Sequence, residues 1–234
     1  MKTMEREMEL TILMPCLNEE KTIESCIKAA QQFIDKNKLV AEILIADNGS
    51  TDDSVNLAKR LGARVVHIAK KGYGSALRGG IEAAKGKYII MGDCDMSYDF
   101  VHLDLFLEAL RQGNGLVMGN RFRGGIQKGA MPFLHQYFGV PLLSFVGRSV
   151  YGTQISDFHC GQRGFDKEAI LSLHLSAEGM EFATEMIGAF ARSDFKIVEI
   201  PVVLNKDCRD GKSHLRSFRD GFRHLDFMLK AALK

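Results

Sequence analysis

The sequence predicts an α/β fold in which a mostly parallel central sheet is flanked by helices. Two observations lead to this prediction. Through the first half of the chain, short apolar runs alternate with segments whose apolar residues recur at helical spacing. The apolar runs are nearly continuous, which is typical of strands that are buried on both faces of a parallel sheet. Strands and helices that alternate in this order build a sheet covered by helices on both sides.

The composition is that of a soluble globular protein. With 234 residues, of which 46% are hydrophobic and 26% charged, the chain can bury a substantial core, and we expect residues 1–234 to form one domain. A net charge of only +2 gives no argument for nucleic acid as a partner. Five scattered cysteines without CxxC spacing favour reduced thiols in a cytosolic protein. The charged N-terminus is no signal peptide, and no run reaches the ~18 apolar residues of a membrane-spanning helix.

The first predicted strand is Leu10–Met14, which Pro15 closes. Asn18 is placed to cap the helix that follows, and Glu19 and Glu20 in its first turn suit the positive end of a helix dipole. The apolar positions of this helix recur at spacings of three and four, at Ile23, Cys26, Ile27, Ala30 and Ile34.

Five further elements continue the alternation of strand and helix. Ser50 and Asp53 have the spacing of a capping box for the first of the two helices among them. The five elements are a strand, a helix, a strand, a glycine-rich helix and a strand, over Glu42–Asp47, Val55–Leu61, Arg64–Ala69, Tyr73–Lys85 and Tyr88–Met91.

Carboxylates follow three of these strands. Glu19 comes after the first strand, Asp47 ends the second, and Asp93 and Asp95 come directly after Tyr88–Met91. The carboxyl ends of parallel strands meet at one edge, where the active sites of such sheets lie. A single acid there can be a helix cap or a turn former, and for Asp47 that alternative stays open. Carboxylates on one edge repel each other unless a cation neutralises them, so Asp93 and Asp95 are predicted to hold Mg²⁺ or Mn²⁺, which in turn binds phosphates.

The glycine-rich stretch Lys70–Gly80 fits neither a Walker A loop nor a GxGxxG motif after the first strand. The other interpretation of this stretch is that its small residues let a helix pack closely on the sheet. A nucleotidyltransferase would carry a glycine-rich, basic loop straight after the first strand, but Pro15–Glu19 contains no glycine.

An ordered set of motifs resembles the family-2 glycosyltransferases of the GT-A fold. The motifs are ILMPCLNEEKTI, EILIADNGSTDDS, KGYGSALRGGIEAAKGKYIIMGDCDMSYD, VMGNRFRGG, SDFHCGQRGF, GMEFATEM and VEIPVVL followed by DGKSHLRSFRDGFRHL. They extend from about Leu10 to Leu225 and most resemble the dolichyl- or polyprenyl-phosphate mannosyl- and glucosyltransferase branch. The resemblance implies a Rossmann-like fold and inverting, metal-dependent transfer of a hexose from GDP-mannose, UDP-glucose or UDP-GlcNAc to a polyprenyl phosphate.

The resemblance also implies a division of labour along the chain. A nucleotide-sugar-binding half spans about 10–120, an acceptor-binding half about 121–213, and an amphipathic helix 214–234. The implied nucleotide-binding residues are Pro15, Leu17, Glu19, Asp47 and Asp93, and the metal ligands are Asp93 and Asp95. The implied phosphate-binding residues are Arg121 and Arg163, together with Arg209, Lys212 and Ser213 on a mobile loop that closes on the donor or acceptor.

The position of the catalytic base separates two classes of acceptor. Relatives that glycosylate a hydroxyl often carry Thr-Glu-Asp, where the last carboxylate is the base, and the matching residues here are Thr184-Glu185-Met186. A hydroxyl must be deprotonated, whereas a phosphate is already anionic and needs cations to place it. Met186 therefore favours a phosphate acceptor, with Asp157 or Glu181 as the alternative base. The candidate catalytic residues are Asp95, Asp157, Arg163 and Glu185.

Two other functions stay open beside this one. Transfer to a soluble hydroxyl acceptor, such as a small metabolite, a lipid glycerol or a peptide, would use the same fold. A non-catalytic nucleotide-sugar-binding protein would too, although the intact Asp93 and Asp95 argue against it.

The segment 214–234 is predicted to form an amphipathic helix. A helix packed on the sheet with a solvated basic flank is one interpretation, and a helix lying on an anionic membrane surface is the other. The second implies a cytoplasmic protein in peripheral contact with the inner face of the membrane. The apolar stripe consists of Leu215, Phe218, Phe222, Leu225, Leu229 and Leu233, and basic residues occupy an adjoining face.

Overall fold

The computed structural model describes residues 7–208 and 217–232. Its strands form a seven-stranded sheet in the order β3-β2-β1-β4-β6-β5-β7. The strands are β1 (Leu10–Cys16), β2 (Ala41–Asp47), β3 (Arg64–His67), β4 (Tyr88–Met91), β5 (Leu116–Asn120), β6 (Arg163–Asp166) and β7 (Ile197–Pro201).

Helices connect the strands and cover both faces of the sheet. A short π-helical turn, His135–Gly139, leads directly into the sixth helix. The helices are α1 (Ile23–Asn37), α2 (Ser54–Arg60), α3 (Tyr73–Ala83), α4 (Asp104–Arg111), α5 (Arg121–Gly124), α6 (Val140–Tyr151), α7 (Lys167–Ser172), α8 (Phe182–Ala191) and α9 (Ser217–Ala232).

The sheet is mostly parallel, as the alternation of strands and helices predicted. β3, β2, β1 and β4 run in one direction, with Cys16 opposite Asp47 and Leu13 opposite Met91. β6 is antiparallel to both of its neighbours, β4 and β5, and β7 is parallel to β5. The parallel register brings the carboxyl ends of β1, β2 and β4 to one edge of the sheet.

The core consists of two layers, one on each face of the sheet. Successive residues of β1 alternate between them: Ile12 and Met14 pack with α1, whereas Leu13 packs with Leu77 of α3. All three β1 residues are fully buried. Burial on both faces explains why the strand is apolar without interruption.

Helix α3 approaches the sheet closely because its glycines leave room. A Cβ atom on Gly80 would lie 2.5 Å from Leu13 Cδ1, and one on Gly74 would lie 2.5 Å from the carbonyl oxygen of Ala177. The glycine-rich stretch is therefore explained by close packing of this helix, which was one of the two interpretations of its sequence.

The predicted helix caps are wrong, and the residues concerned join two loops instead. Helix α1 begins after Thr22, and Asn18 adopts a left-handed conformation with φ of 58°, which asparagine tolerates well. Asn18 Oδ1 accepts the Thr51 N–H at 2.7 Å, and Ser50 Oγ accepts the Asn18 N–H at 3.0 Å. Asp53 precedes α2 but makes no side-chain capping bond. These residues hold the loops after β1 and β2 together as one wall.

Helix α9 packs against α6 and α8. Its buried side chains include His224 and Met228, whereas Leu229 of the predicted apolar stripe is 52% exposed and Leu225 is half-buried. Leu215 and Leu233 lie outside the described residues, as do the side chains of Phe218 and Phe222. In the described part of the chain, no helix combines the length and apolar character needed to cross a membrane.

We expect Gly74→Ala to lower the free energy of unfolding by about 1–3 kcal/mol, because its methyl group overlaps backbone atoms that cannot rotate away. Chemical denaturation measures this change. Gly221→Ala is the matched control, since Gly221 also lies in a helix and, among the described residues, nothing outside its own helix backbone lies within 4 Å of the added carbon. Alanine there should stabilise by up to about 1 kcal/mol. Equal effects of the two substitutions would show that the close approach of α3 does not matter.

Candidate active site

A cavity of about 400 Å³ opens where β4 ends. Asp93 and Asp95 form part of its wall, and Arg121, Arg163 and Met186 form other parts. The cavity thus collects the two predicted metal ligands, two predicted phosphate ligands and the residue at the predicted base position.

The two aspartates are held by hydroxyl donors. Tyr73 donates its hydroxyl to Asp93 Oδ1 at 3.0 Å, and Asp95 Oδ1 accepts both the Ser97 N–H, at 2.9 Å, and the Ser97 hydroxyl. Burial, and then the charge of Asp93, raises the pKa of Tyr73 well above its usual value, so Tyr73 remains a donor at neutral pH. Gly161 completes this wall, because a Cβ atom there would lie 2.7 Å from Asp93 Oδ2.

Asp93 and Asp95 fit a divalent ion that is shared with a substrate. Among residues 7–208 and 217–232, no group of three or more His, Cys, Asp or Glu side chains could hold a metal by itself. Mg²⁺ is commonly bound by one or two carboxylates and completed by water and substrate phosphates. Two oriented carboxylates beside an open cavity match that pattern.

The other predicted nucleotide-binding residues lie beside the cavity, at the ends of β1 and β2. Pro15 and Leu17 are half-buried, and Pro15 accepts the Cys94 thiol proton at its carbonyl oxygen, 3.1 Å away. Glu19 is 5% exposed, and its N–H donates to Ser54 Oγ at 2.8 Å. These contacts fix the wall formed by the two loops, but none of these side chains lines the cavity.

Asp47 organises its own loop. Its carboxylate accepts the N–H groups of Gly49 and Ser50, at 3.2 and 3.0 Å, and lies 3.0 Å from His67 Nδ1. Although burial opposes the shift, the bonds from Ser50, His67 and Gly49 hold the pKa of Asp47 below its ordinary value. The geometry shows that Asp47 forms a turn, which is the alternative that the sequence left open.

Asn48 was not singled out in the sequence, yet it holds the glycine-rich loop. Its side-chain nitrogen donates to the carbonyls of Ile68 and Lys70, at 3.0 and 2.8 Å, and its side-chain oxygen accepts the Gly72 N–H at 2.8 Å. Lys71 Nζ donates to the Asn48 carbonyl at 2.7 Å. The only sequence signal was its position directly after Asp47.

Arg121 and Asp157 form a buried ion pair. Arg121 donates from Nε to Asp157 Oδ2 at 2.8 Å, from its second terminal nitrogen to Oδ1 at 2.7 Å, and from its backbone N–H to Oδ2 at 3.0 Å. The Asp157 side chain is fully buried. These three bonds show that Asp157 fixes the position of Arg121.

Arg163 is buried and bonded to the backbone. Its three guanidinium nitrogens donate to the carbonyls of Cys160, Ala183 and Phe158, at 2.9, 2.7 and 2.9 Å. Burial lowers the pKa of Arg163 from its ordinary value. A guanidinium has five N–H donors, so this arrangement leaves some of them for a ligand in the cavity that Arg163 lines.

The expectation that Glu185 is catalytic is not supported by its position. Its carboxylate accepts the N–H groups of Ser176 and Ala177 and the Ser176 hydroxyl, at 2.8–3.1 Å, and so anchors the loop before α8. Met186, the next residue, is fully buried and lines the cavity. Glu185 is not among the residues that line the cavity. Glu181, the alternative base, lies 3.4 Å from Arg223 Nε.

A pair of histidines lies on the cavity wall. His159 and His224 meet edge to face with ring centroids 4.6 Å apart, and His224 Nδ1 lies 2.8 Å from the Thr184 hydroxyl. Among the described residues, neither ring nitrogen of His159 has a hydrogen-bond partner, although both are buried. Burial, and then His224, lowers the pKa of His159 well below its usual value, so its ring is neutral at pH 7. Buried polar atoms without partners are costly, so His159 can donate or accept a hydrogen bond at the cavity wall.

The segment that leads into the predicted mobile loop contacts the loop that carries Asp93 and Asp95. The N–H groups of Asn205 and Cys208 donate to the carbonyls of Ser97 and Asp95, at 2.9 and 3.2 Å. The expected phosphate ligands Arg209, Lys212 and Ser213 lie outside the described residues.

Comparison with known proteins agrees with this geometry. A model of the family described as "Glycosyl transferase family 2" matches residues 11–173. The chain is 40% identical over 221 residues to the low-salt glycan biosynthesis hexosyltransferase Agl6 of Haloferax volcanii, covering 94% of this chain and 53% of that protein. It is 27% identical to a dolichyl-phosphate hexose transferase of the same organism, over 91% of this chain and 89% of the relative. The chain thus spans about half the length of the first of these relatives.

A solved structure shares the fold. Glucosyl-3-phosphoglycerate synthase from Mycobacterium tuberculosis, in complex with Mn²⁺, uridine diphosphate and phosphoglyceric acid, aligns with a TM-score of 0.75 at 21% identity, over 96% of this chain and 78% of that chain. Another structure of that enzyme contains Mg²⁺ and uridine diphosphate. The alignment confirms the predicted GT-A fold.

The family model extends over more than half of the chain, and the 40% identity to a hexosyltransferase extends over nearly all of it. The chain therefore belongs to glycosyl transferase family 2.

Proposed function

We propose that this protein is an inverting, metal-dependent transferase that moves a hexose from a nucleotide sugar to a polyprenyl phosphate. The observation that carries the proposal is the composition of the cavity. Asp93 and Asp95 share it with two buried arginines, and Met186 occupies the place where a hydroxyl-using enzyme needs a base.

The donor would bind across the loops after β1 and β2 and reach Asp93 and Asp95 with its diphosphate. A Mg²⁺ or Mn²⁺ ion held by these two carboxylates would neutralise the charge of the departing nucleoside diphosphate. Tyr73 and Ser97 keep the carboxylates oriented, and the side-chain-free Gly161 leaves room beside Asp93. The wall that Asn18 and Ser50 hold together would contact the nucleoside.

The acceptor would be a phosphate because the cavity offers cations and has Met186 at the predicted base position. A phosphate oxygen is already a nucleophile, and guanidinium groups can position it on the face of the sugar opposite the leaving group. Arg121 and Arg163 are rigidly held, so they can do this without losing side-chain freedom on binding. The similarity to a dolichyl-phosphate hexose transferase supports the same class of acceptor.

Transfer to a hydroxyl is the second candidate, and His159 is the observation that favours it. A neutral imidazole in the cavity could accept the proton of an attacking hydroxyl. The lowered pKa of His159 makes it a weak base, which counts against this role. Hydrogen bonding of His159 to a sugar or a phosphate explains its unpartnered nitrogens equally well.

We expect Asp93→Asn/Asp95→Asn to weaken metal-dependent binding of UDP or GDP at least tenfold, because the neutral amides are poorer ligands for a hard cation. Titration calorimetry with and without Mn²⁺ measures the effect. Asp35→Asn/Asp104→Asn removes the same charge from the exposed surfaces of α1 and α4 and should leave binding unchanged. Undiminished metal-dependent binding in the first variant would remove the metal role of the two aspartates.

The acceptor class is tested by supplying labelled donor with either a short-chain polyprenyl phosphate or the corresponding free alcohol. We expect glycosylated product from the phosphate alone, because Arg121 and Arg163 can place an anion in the cavity, whereas Met186 at the predicted base position cannot deprotonate an alcohol. Thin-layer separation of the labelled products distinguishes the two. Product from the alcohol, with none from the phosphate, would contradict the proposal and make His159 or Glu181 the base to test.

We expect Asp157→Asn to lower the free energy of unfolding by about 3–5 kcal/mol, since it leaves the buried charge of Arg121 without its partner. Urea denaturation measures the loss. The matched control is Asp226→Asn, which breaks an exposed pair with Lys230 and should leave the midpoint unchanged. If Asp157→Asn were as stable as the wild type but lost only transfer to an alcohol, Asp157 would be a base after all.

A further inference from the structure

The segment before and within α6 exposes large apolar side chains. Within the described residues, six of the twelve exposed large hydrophobic side chains fall in the short stretch 133–145. Each of the six is 58–67% exposed. We call them the apolar face: Phe133, Leu134, Tyr137, Phe138, Leu142 and Phe145.

The apolar face is one continuous patch. The Phe133 ring lies 4.7 Å from that of Tyr137 and 6.4 Å from that of Phe138, measured between centroids. Leu142 and Phe145 continue at helical spacing along α6, while Leu143 and Val146 on the other side of α6 pack on the core. Exposed apolar residues that occur singly need no explanation, but a contiguous patch of this kind marks an interaction surface.

The charges around the apolar face favour an anionic partner. No Asp or Glu occurs between Glu108 and Asp157, whereas Lys128 and Arg148 flank the apolar face in the chain. The Arg148 guanidinium lies 6.0 Å from the centroid of the Phe145 ring. Aromatic and aliphatic side chains in a segment that carries basic but no acidic residues are the pattern of surfaces that insert at the boundary between acyl chains and anionic headgroups.

The apolar face also adjoins the cavity. Met131, Pro132 and His135 line the cavity together with Asp93 and Asp95, and Pro132 is bonded directly to Phe133 of the apolar face. One end of this segment therefore reaches the metal site while the rest faces outward.

We propose that the apolar face docks on an anionic membrane surface and presents the cavity to the phosphate of a lipid-linked acceptor. The docking step stands on the exposed patch and its charges, whereas delivery of the acceptor rests on the proposed function. The membrane contact would then lie at the apolar face and not at 214–234, because α9 buries His224 and Met228 against the protein.

The test is co-sedimentation of the full chain with phosphatidylcholine vesicles prepared with and without phosphatidylglycerol. We expect binding to the anionic vesicles, and an at least tenfold weaker partition for Phe138→Ser/Leu142→Ser. The matched control is Leu105→Ser/Leu171→Ser, which removes exposed apolar side chains from α4 and α7 and should bind like the wild type. Circular dichroism spectra show whether each variant is folded.

Equal loss in both variants, or binding that does not depend on the apolar face, would overturn the docking proposal. A second copy of the chain is the competing occupant. If Phe138→Ser/Leu142→Ser instead converts a dimer into a monomer, as measured by light scattering, and vesicle binding is unaffected, the apolar face is a dimer interface and the proposal is wrong.

Transfer to a water-soluble short-chain polyprenyl phosphate separates this inference from the proposed function. The apolar-face variant should keep that activity and lose transfer to a long-chain acceptor embedded in vesicles. Loss of vesicle binding without any change in transfer to the embedded acceptor would contradict delivery through the apolar face. Absence of transfer by the wild type to either acceptor would overturn the proposed function while leaving vesicle binding as a separate result.

Discussion

Carboxylates that gather at one edge of a parallel sheet repel each other unless each is held by donors or cations, and this constraint shapes the site. Asp47 is held by backbone N–H groups and Asp157 by Arg121. Asp93 and Asp95 are held by the hydroxyls of Tyr73 and Ser97. Asp47 and Asp157 thereby support the architecture. Asp93 and Asp95 line the cavity, and two carboxylates there match the pattern of ligands that share Mg²⁺ with a substrate.

The buried arginine Arg163 is subject to the complementary constraint, because a buried cation also needs hydrogen-bond acceptors or an opposite charge around it. Arg163 lies fully inside the protein and donates to three backbone carbonyls. Carbonyl dipoles satisfy hydrogen bonds but do not cancel a net charge, and a buried cation is costly without an anion nearby. The lowered pKa of Arg163 expresses that cost. The buried charge of Arg163 is thus an energetic cost that the fold carries, and the charge of Asp157 offsets part of it.

Much of the fold could be predicted from the sequence because its signals are local. Continuous apolar runs located β1, β2 and β4, and their parallel order placed Asp93 and Asp95 at the same edge as Asp47. The antiparallel insertion of β6 between β4 and β5 could not be predicted, since it depends on pairing between distant segments. The caps assigned to Asn18 and Ser50 were wrong for a related reason: these side chains bond across two loops, 32 residues apart. The partner of Arg121, 36 residues away, was equally invisible.

The N–H groups of Asn205 and Cys208 donate to the carbonyls of Ser97 and Asp95. These bonds join the loop that carries Asp93 and Asp95 to the segment that leads into 209–216. A ligand that repositions either segment changes the free energy of the other. By thermodynamic linkage, a donor that strengthens acceptor binding must itself bind more tightly when the acceptor is present, and by the same factor. The two backbone contacts thus tie the position of the segment that ends at Cys208 to the position of the loop that carries Asp95.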